Sequence, residues 1–114
     1  MPQPTGFASQ RKLLEHFQDH GPDFNATSPQ HYEQMAISFL QPPAHTINAL
    51  ECIRTSQEII RFNPATDEFA VMRSNGVIKT YFKPIPAHLA PPGTPVWKTH
   101  TYPTNLDYYS GECW

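Results

Sequence analysis

Between Arg61 and Pro84 the chain reads RFNPATDEFAVMRSNGVIKTYFKP, and within it the triplet Ser74-Asn75-Gly76 constrains the fold most. Asn-Gly is a strong hairpin-turn signal, and β-branched and aromatic residues flank the triplet on both sides. Glu68–Arg73 and Val77–Lys83 are therefore expected to pair antiparallel. Asn63-Pro64-Ala65-Thr66-Asp67 marks the preceding turn. Gln57–Phe62 and Ala49–Arg54, with Thr55-Ser56 between them, extend the meander upstream. Alternation along the last strand assigns Ile78, Thr80 and Phe82 to one face, and Val77, Lys79, Tyr81 and Lys83 to the other.

Upstream the period is helical. Ser9 is placed to cap a helix over Arg11–His20, stopped by Gly21-Pro22, with Leu13, His16, Phe17 and His20 on one face. Ser28 caps a second helix, Pro29 takes its favoured first position, and Tyr32, Met35, Ala36 and Phe39 form its core stripe to about Leu40. Pro42-Pro43 ends it, and the period turns extended after Ala44–Asn48. Phe24, in the loop between the helices, is expected to plug the core. Two N-terminal helices on one face of a small antiparallel sheet make an α+β fold. Residues 1–9 read as a linker or arm and residues 10–114 as one domain. Pro84–Pro95 reads as a surface loop, Val96–Thr101 as a possible edge strand, and Asn105–Trp114 as an aromatic tail that packs down.

Composition narrows the function classes. The 114 residues suit a single domain, and most of the 13 prolines mark joints between elements. No apolar run spans a membrane, and Met1–Ser9 lacks the charged start and apolar centre of a signal peptide, so export would need another carrier. A net charge of −2 argues against a general nucleic-acid binder. The distribution says more: Arg54–Lys98 holds Arg54, Arg61, Arg73, Lys79, Lys83 and Lys98 against three acids, while both flanks are acidic. Such a basic centre suits a polyanion, and the acidic flanks a basic partner. Cys52 and Cys113 are too few for a disulfide framework; one bridge and two buried thiols are both open. No Cys/His spacing suggests zinc, and no metal or cofactor is expected.

The residues suited to chemistry are those of phosphate handling without a metal. An imidazole can both take and give a proton near neutrality. His20 is the first candidate, since a helix C-terminus favours its charged form; His16, one turn earlier, is an orienting or second group. Of the scattered His31, His45, His88 and His100, the last ranks highest, because the tail can fold over a site. Thr80 offers a hydroxyl to a phosphate oxygen, and Arg54 and Arg61 offer bidentate clamps. Lys79 and Lys83 add charge, and Tyr81 or Phe82 can stack a base. Each also has a plainer use, as a cap, a strand former, an edge charge or a core ring.

His16 and the run His20-Gly21-Pro22-Asp23-Phe24, followed by NPxTxEFxVxxxNGxIxTYFKP over 63–84, resemble the C-terminal toxin domains of bacterial competition systems. These belong to the barnase/EndoU/colicin D/RelE-like (BECR) ribonucleases. Tyr102–Tyr109 is similar to their closing stretch, and the resemblance runs from about Lys12 to Tyr109. It implies a metal-independent ribonuclease that cuts tRNA, as contact-dependent inhibition toxins do. It further implies delivery by a larger protein or secretion apparatus, action in the target-cell cytoplasm, and neutralisation by a cognate immunity protein. By the same resemblance His20 matches the proton-transfer group, Thr80 the last-strand hydroxyl and Phe82 its aromatic. A helix-1 cation common in the family falls on Phe17 here, so Arg54, His16 or Lys83 has to replace it. A ribonuclease for other RNA and a non-catalytic protein-binding module are the competing readings.

Overall fold

In the computed structural model, which describes residues 3–41 and 49–114, the Ser9 side chain accepts from the Lys12 amide and opens α1 (Gln10–His20). The chain does not reverse at Gly21, whose backbone stays right-handed; it tightens into a 3-10 turn over Gly21–Phe24. Gly21 is required for another reason, since a Cβ there would lie 2.8 Å from the Phe17 ring. Ser28 caps α2 (Pro29–Leu40) by accepting from the His31 amide, as expected from Ser-Pro. Pro42-Pro43, Ala44–Asn48 and His45 lie outside the described residues.

The meander follows as β2 (Leu50–Ile53), β3 (Ile59–Asn63), β4 (Glu68–Met72) and β5 (Val77–Phe82), all paired antiparallel. The Asn75 side chain accepts from the Val77 amide at the Asn-Gly turn, and the Asn63 side chain accepts from the Ala65 amide at the preceding one. The segment expected as a linker or arm contributes β1 (Gly6–Phe7), which pairs parallel with Val77 and Ile78 at the open edge of β5. Gly76 lets it approach: its φ is +92°, and a Cβ there would meet the Gln3 carbonyl oxygen at 2.1 Å. Sheet order is β1-β5-β4-β3-β2.

Each face of this sheet has its own core. Leu13, Phe24, Tyr32, Ala36 and Leu40 of the helical segments pack on Ile59, Ala70, Met72, Ile78 and Tyr81. Phe24 plugs in as expected, stacking on Tyr81 with centroids 4.1 Å apart. On the opposite face Ile60, Phe62, Phe69, Val71 and Phe82 pack under Tyr109 and Cys113. These last belong to α3 (Asn105–Cys113): the aromatic tail packs down as expected, and it does so as a helix. Its start was legible: the Thr104 hydroxyl accepts from the Asp107 amide, and the spacing Thr104-x-x-Asp107 is a capping pattern. Cover on both faces explains why FAVM runs apolar without alternating and why Ile59, Ile60 and Phe62 are all buried. The α+β class stands, with helices on two sides of the sheet and not one.

Three further differences matter for the site. A β-bulge lets Val71 face Thr80 while Met72 faces Ile78, leaving Lys79 as the extra residue. The bulge breaks the expected alternation, so Ile78 and Phe82 serve opposite cores. Val96–Thr101 is not an edge strand of the sheet. Val96–Lys98 is a 3-10 turn, and β7 (Thr99–His100) pairs in parallel with β6 (Ile85–Pro86), apart from the main sheet. Cys52 and Cys113 form a disulfide that ties β2 to the end of α3. Among the described residues no helix is long and apolar enough to cross a membrane.

Candidate active site

Because β1 covers β5 only at Val77 and Ile78, a cleft of about 170 Å³ remains where α1 runs beside this edge. Lys12 and His16 enter it from α1, Arg73 from the end of β4, and Lys79 from the bulge, over a floor that includes Phe7 and Ile78. No acidic residue lines it. Lys12 and Arg73 are exposed and, among the described residues, form no ion pair. Lys79 reaches Glu58 at 2.6 Å, so its charge is partly engaged.

His16 is half-buried, with its ring 5.0 Å from that of Phe7. Its Nδ1 is sealed off without a partner, which leaves Nε2 as the nitrogen available to the cleft. Burial foremost holds its pKa below the ordinary imidazole value, against the opposing pull of Asp19. Near neutrality it is therefore an uncharged base that shares the cleft with Lys12, Arg73 and Lys79.

His20, the first sequence candidate, is only 7% exposed. Its ring lies 5.2 Å from Phe82, 5.2 Å from Trp97 and 5.8 Å from His16. Burial, then the neighbouring His16, push its pKa down to about 4. The helix end was expected to favour the charged form; desolvation outweighs that dipole and reverses the sign. His20 thus stands behind His16 and does not line the cleft.

The other expected groups are dispersed. Thr80 is half-exposed opposite Val71, forms no side-chain hydrogen bond among the described residues, and does not line the cleft. Arg54 donates to the Glu112 carbonyl at 2.7 Å and pairs with Glu58 at 2.9 Å, fixing the end of α3 to the β2–β3 turn. Arg61, expected as a phosphate clamp, is 1% exposed. It pairs with Glu51 and donates to the Phe39 and Gln41 carbonyls at 2.8 and 2.7 Å, closing the C-terminus of α2. Its side chain is consumed by the fold because a helix end buried on a sheet needs a donor for its last carbonyls. Tyr81 is fully buried and donates to Glu68, so it is a core ring and no stacking platform. Phe82 is buried between His20 and the second core. Lys83 is half-buried, 5.5 Å from the Phe24 centroid, and does not line the cleft.

His100 is also structural. Its Nδ1 accepts from the Tyr102 amide at 3.2 Å and its Nε2 lies 2.7 Å from Asn105 Oδ1. That pairing assigns the Nε2–H tautomer and occupies both nitrogens. His31 Nδ1 accepts from the Thr27 amide at 3.1 Å. Among the described residues no group of three His, Cys, Asp or Glu gathers as a metal site would.

Lys12 and Arg73 are the cleft residues that sequence reasoning passed over. Lys12 carried a usable signal, because Lys12, His16 and His20 recur at a spacing of four on one helix face. Arg73 was legible only as one charge of the basic centre, since its approach to the cleft depends on where β1 ends. Compared with models of known protein families and with curated proteins, the chain matches none.

Proposed function

We propose that this domain is a metal-independent endoribonuclease of the BECR type that cleaves tRNA in a target bacterium. One observation carries the reading: an acid-free cleft holds the uncharged His16 together with Lys12, Arg73 and Lys79. The succession of two helices and an antiparallel meander agrees with a barnase-like scaffold, though such scaffolds host many functions. Delivery within a larger protein, action in the target-cell cytoplasm and a cognate immunity protein belong to the same proposal.

In this mechanism His16 Nε2 takes the proton of a ribose 2′-hydroxyl as O2′ attacks phosphorus. The bond to the 5′-oxygen breaks, that oxygen takes a proton from water, the resulting hydroxide is neutralised by the proton held on His16, and the products are a 2′,3′-cyclic phosphate and a 5′-hydroxyl. The base contributes about 10²–10⁴-fold, and cations positioned on the developing phosphorane charge add to it. Lys12 and Arg73 fill that role first, with Lys79 joining when phosphate displaces Glu58. His20 keeps the His16 ring in place.

The test is incubation of the full chain with total tRNA in the presence of a chelator. Cleavage with cyclic phosphate ends, reduced at least 100-fold by His16→Ala with folding intact, is the expected result. Intact tRNA, together with no measurable affinity for RNA, would sink the enzyme and leave a protein-binding module.

A further inference from the structure

Trp97 stands out once the cleft is assigned. It is 52% exposed, while the residues around it are fixed. Lys98 forms an ion pair with Asp23 at 2.6 Å, with both side chains largely buried. The Lys98 amide donates to the Pro95 carbonyl at 3.1 Å, and the Thr99 hydroxyl to the Val96 carbonyl at 2.8 Å. The indole itself meets the buried His20 ring edge-on, at an interplanar angle of 84°. The indole is thus seated by its backbone turn and by one ring contact, and the rest of its surface stays open to water. An open aromatic face of this kind can stack a flat partner.

The position identifies that partner. Ring-to-ring steps of 5.8 Å from His16 to His20 and 5.2 Å from His20 to Trp97 leave the indole at most about 11 Å from the cleft imidazole. A base attached beside a phosphate held by Lys12 and Arg73 falls within that reach. Lys98 Nζ lies 5.8 Å from the indole centroid, but its charge is engaged by Asp23, so the subsite offers an aromatic face and no free cation. We infer that Trp97 is a stacking subsite for a nucleobase adjoining the scissile phosphate, so that the substrate is engaged as an unpaired strand. Duplex RNA keeps its bases stacked on each other and offers no free face. The inference rests on the ribonuclease reading and adds to it a base-dependent contact outside the cleft.

Tryptophan fluorescence reports on the subsite directly in the full chain carrying Trp114→Phe, which leaves Trp97 as the sole indole. Short single-stranded oligonucleotides with non-cleavable 2′-O-methyl riboses are compared with abasic sugar–phosphate strands of equal length. Stacking is expected to quench Trp97 emission and to tighten binding about tenfold or more over the abasic strand. Trp97→Ala should erase that increment and leave abasic binding unchanged, and Trp97→Phe should retain most of it. Equal affinity for both strands, with abasic binding intact, overturns the subsite while sparing the cleft. Failure of both strands to bind overturns the ribonuclease reading and the subsite together.

Discussion

The imidazoles of His16 and His20 stand 5.8 Å apart on successive turns of α1, yet only His16 lines the cleft. A spacing of four residues places both on the same side of the helix, beside the apolar stripe. Burial then separates their duties. His20 is enclosed by Phe82 and Trp97 and is held uncharged, while His16 keeps one nitrogen free.

This difference makes stability depend on pH. Above about pH 6.5 the His20 imidazole is neutral whether the chain is folded or not, and it costs nothing. As pH falls from there to about 4, the unfolded chain binds a proton that the folded one refuses, so stability is lost; below about 4 both are protonated and the loss stops. The loss is on the order of 3 kcal/mol, with His16 adding in the same direction. Urea midpoints at pH 7 and pH 4.5 should separate clearly in the wild type and much less in His20→Phe. Equal midpoint shifts in the two proteins would show that His20 is solvated.

Reversing a cleft charge should weaken RNA binding without touching the fold. Arg73 and Lys12 are exposed, so Arg73→Glu and Lys12→Glu are expected to shift the unfolding midpoint little. Replacing either cation by Ala should lower the salt slope of binding by about one. Arg73→Ala with unchanged affinity and salt slope would remove the cleft from consideration as the phosphate site.

Arg61 should behave in the opposite way. Removing its buried guanidinium leaves the Phe39 and Gln41 carbonyls and Glu51 without their donor. Arg61→Ala is therefore expected to cost about 3–5 kcal/mol. Arg61→Lys should not restore it, because one ammonium cannot serve that fork. Chemical denaturation checks both variants; an Arg61→Ala protein as stable as the wild type would mean that α2 is closed some other way.

The Cys52–Cys113 bridge spans 61 residues and holds α3 on the second core. Cross-linking a loop of that length restricts the unfolded chain by about 4 kcal/mol in the chain-entropy account. Reductant or Cys113→Ala should lower the thermal midpoint and expose Tyr109 and Phe62 to solvent. A midpoint that ignores reductant would show that α3 is retained by its apolar contacts and Arg54 alone.

The sequence by itself determined what is local. Ser9 and Ser28 announced two helices, Asn75-Gly76 announced the hairpin, and the Leu13–His20 spacing announced a face on which two imidazoles would sit. Each of these depends on groups a few residues apart, so the chain carries its own signal. What only the tertiary structure decided depends on distant neighbours. The Glu51 pairing and the end of α2 turned Arg61 into a cap, the bulge at Lys79 sent Ile78 and Phe82 to different cores, and the short reach of β1 opened the cleft to Arg73. The sign of the His20 shift was decided in the same way: the helix end is written in the sequence, but the Phe82 and Trp97 rings that desolvate the imidazole arrive from more than sixty residues away.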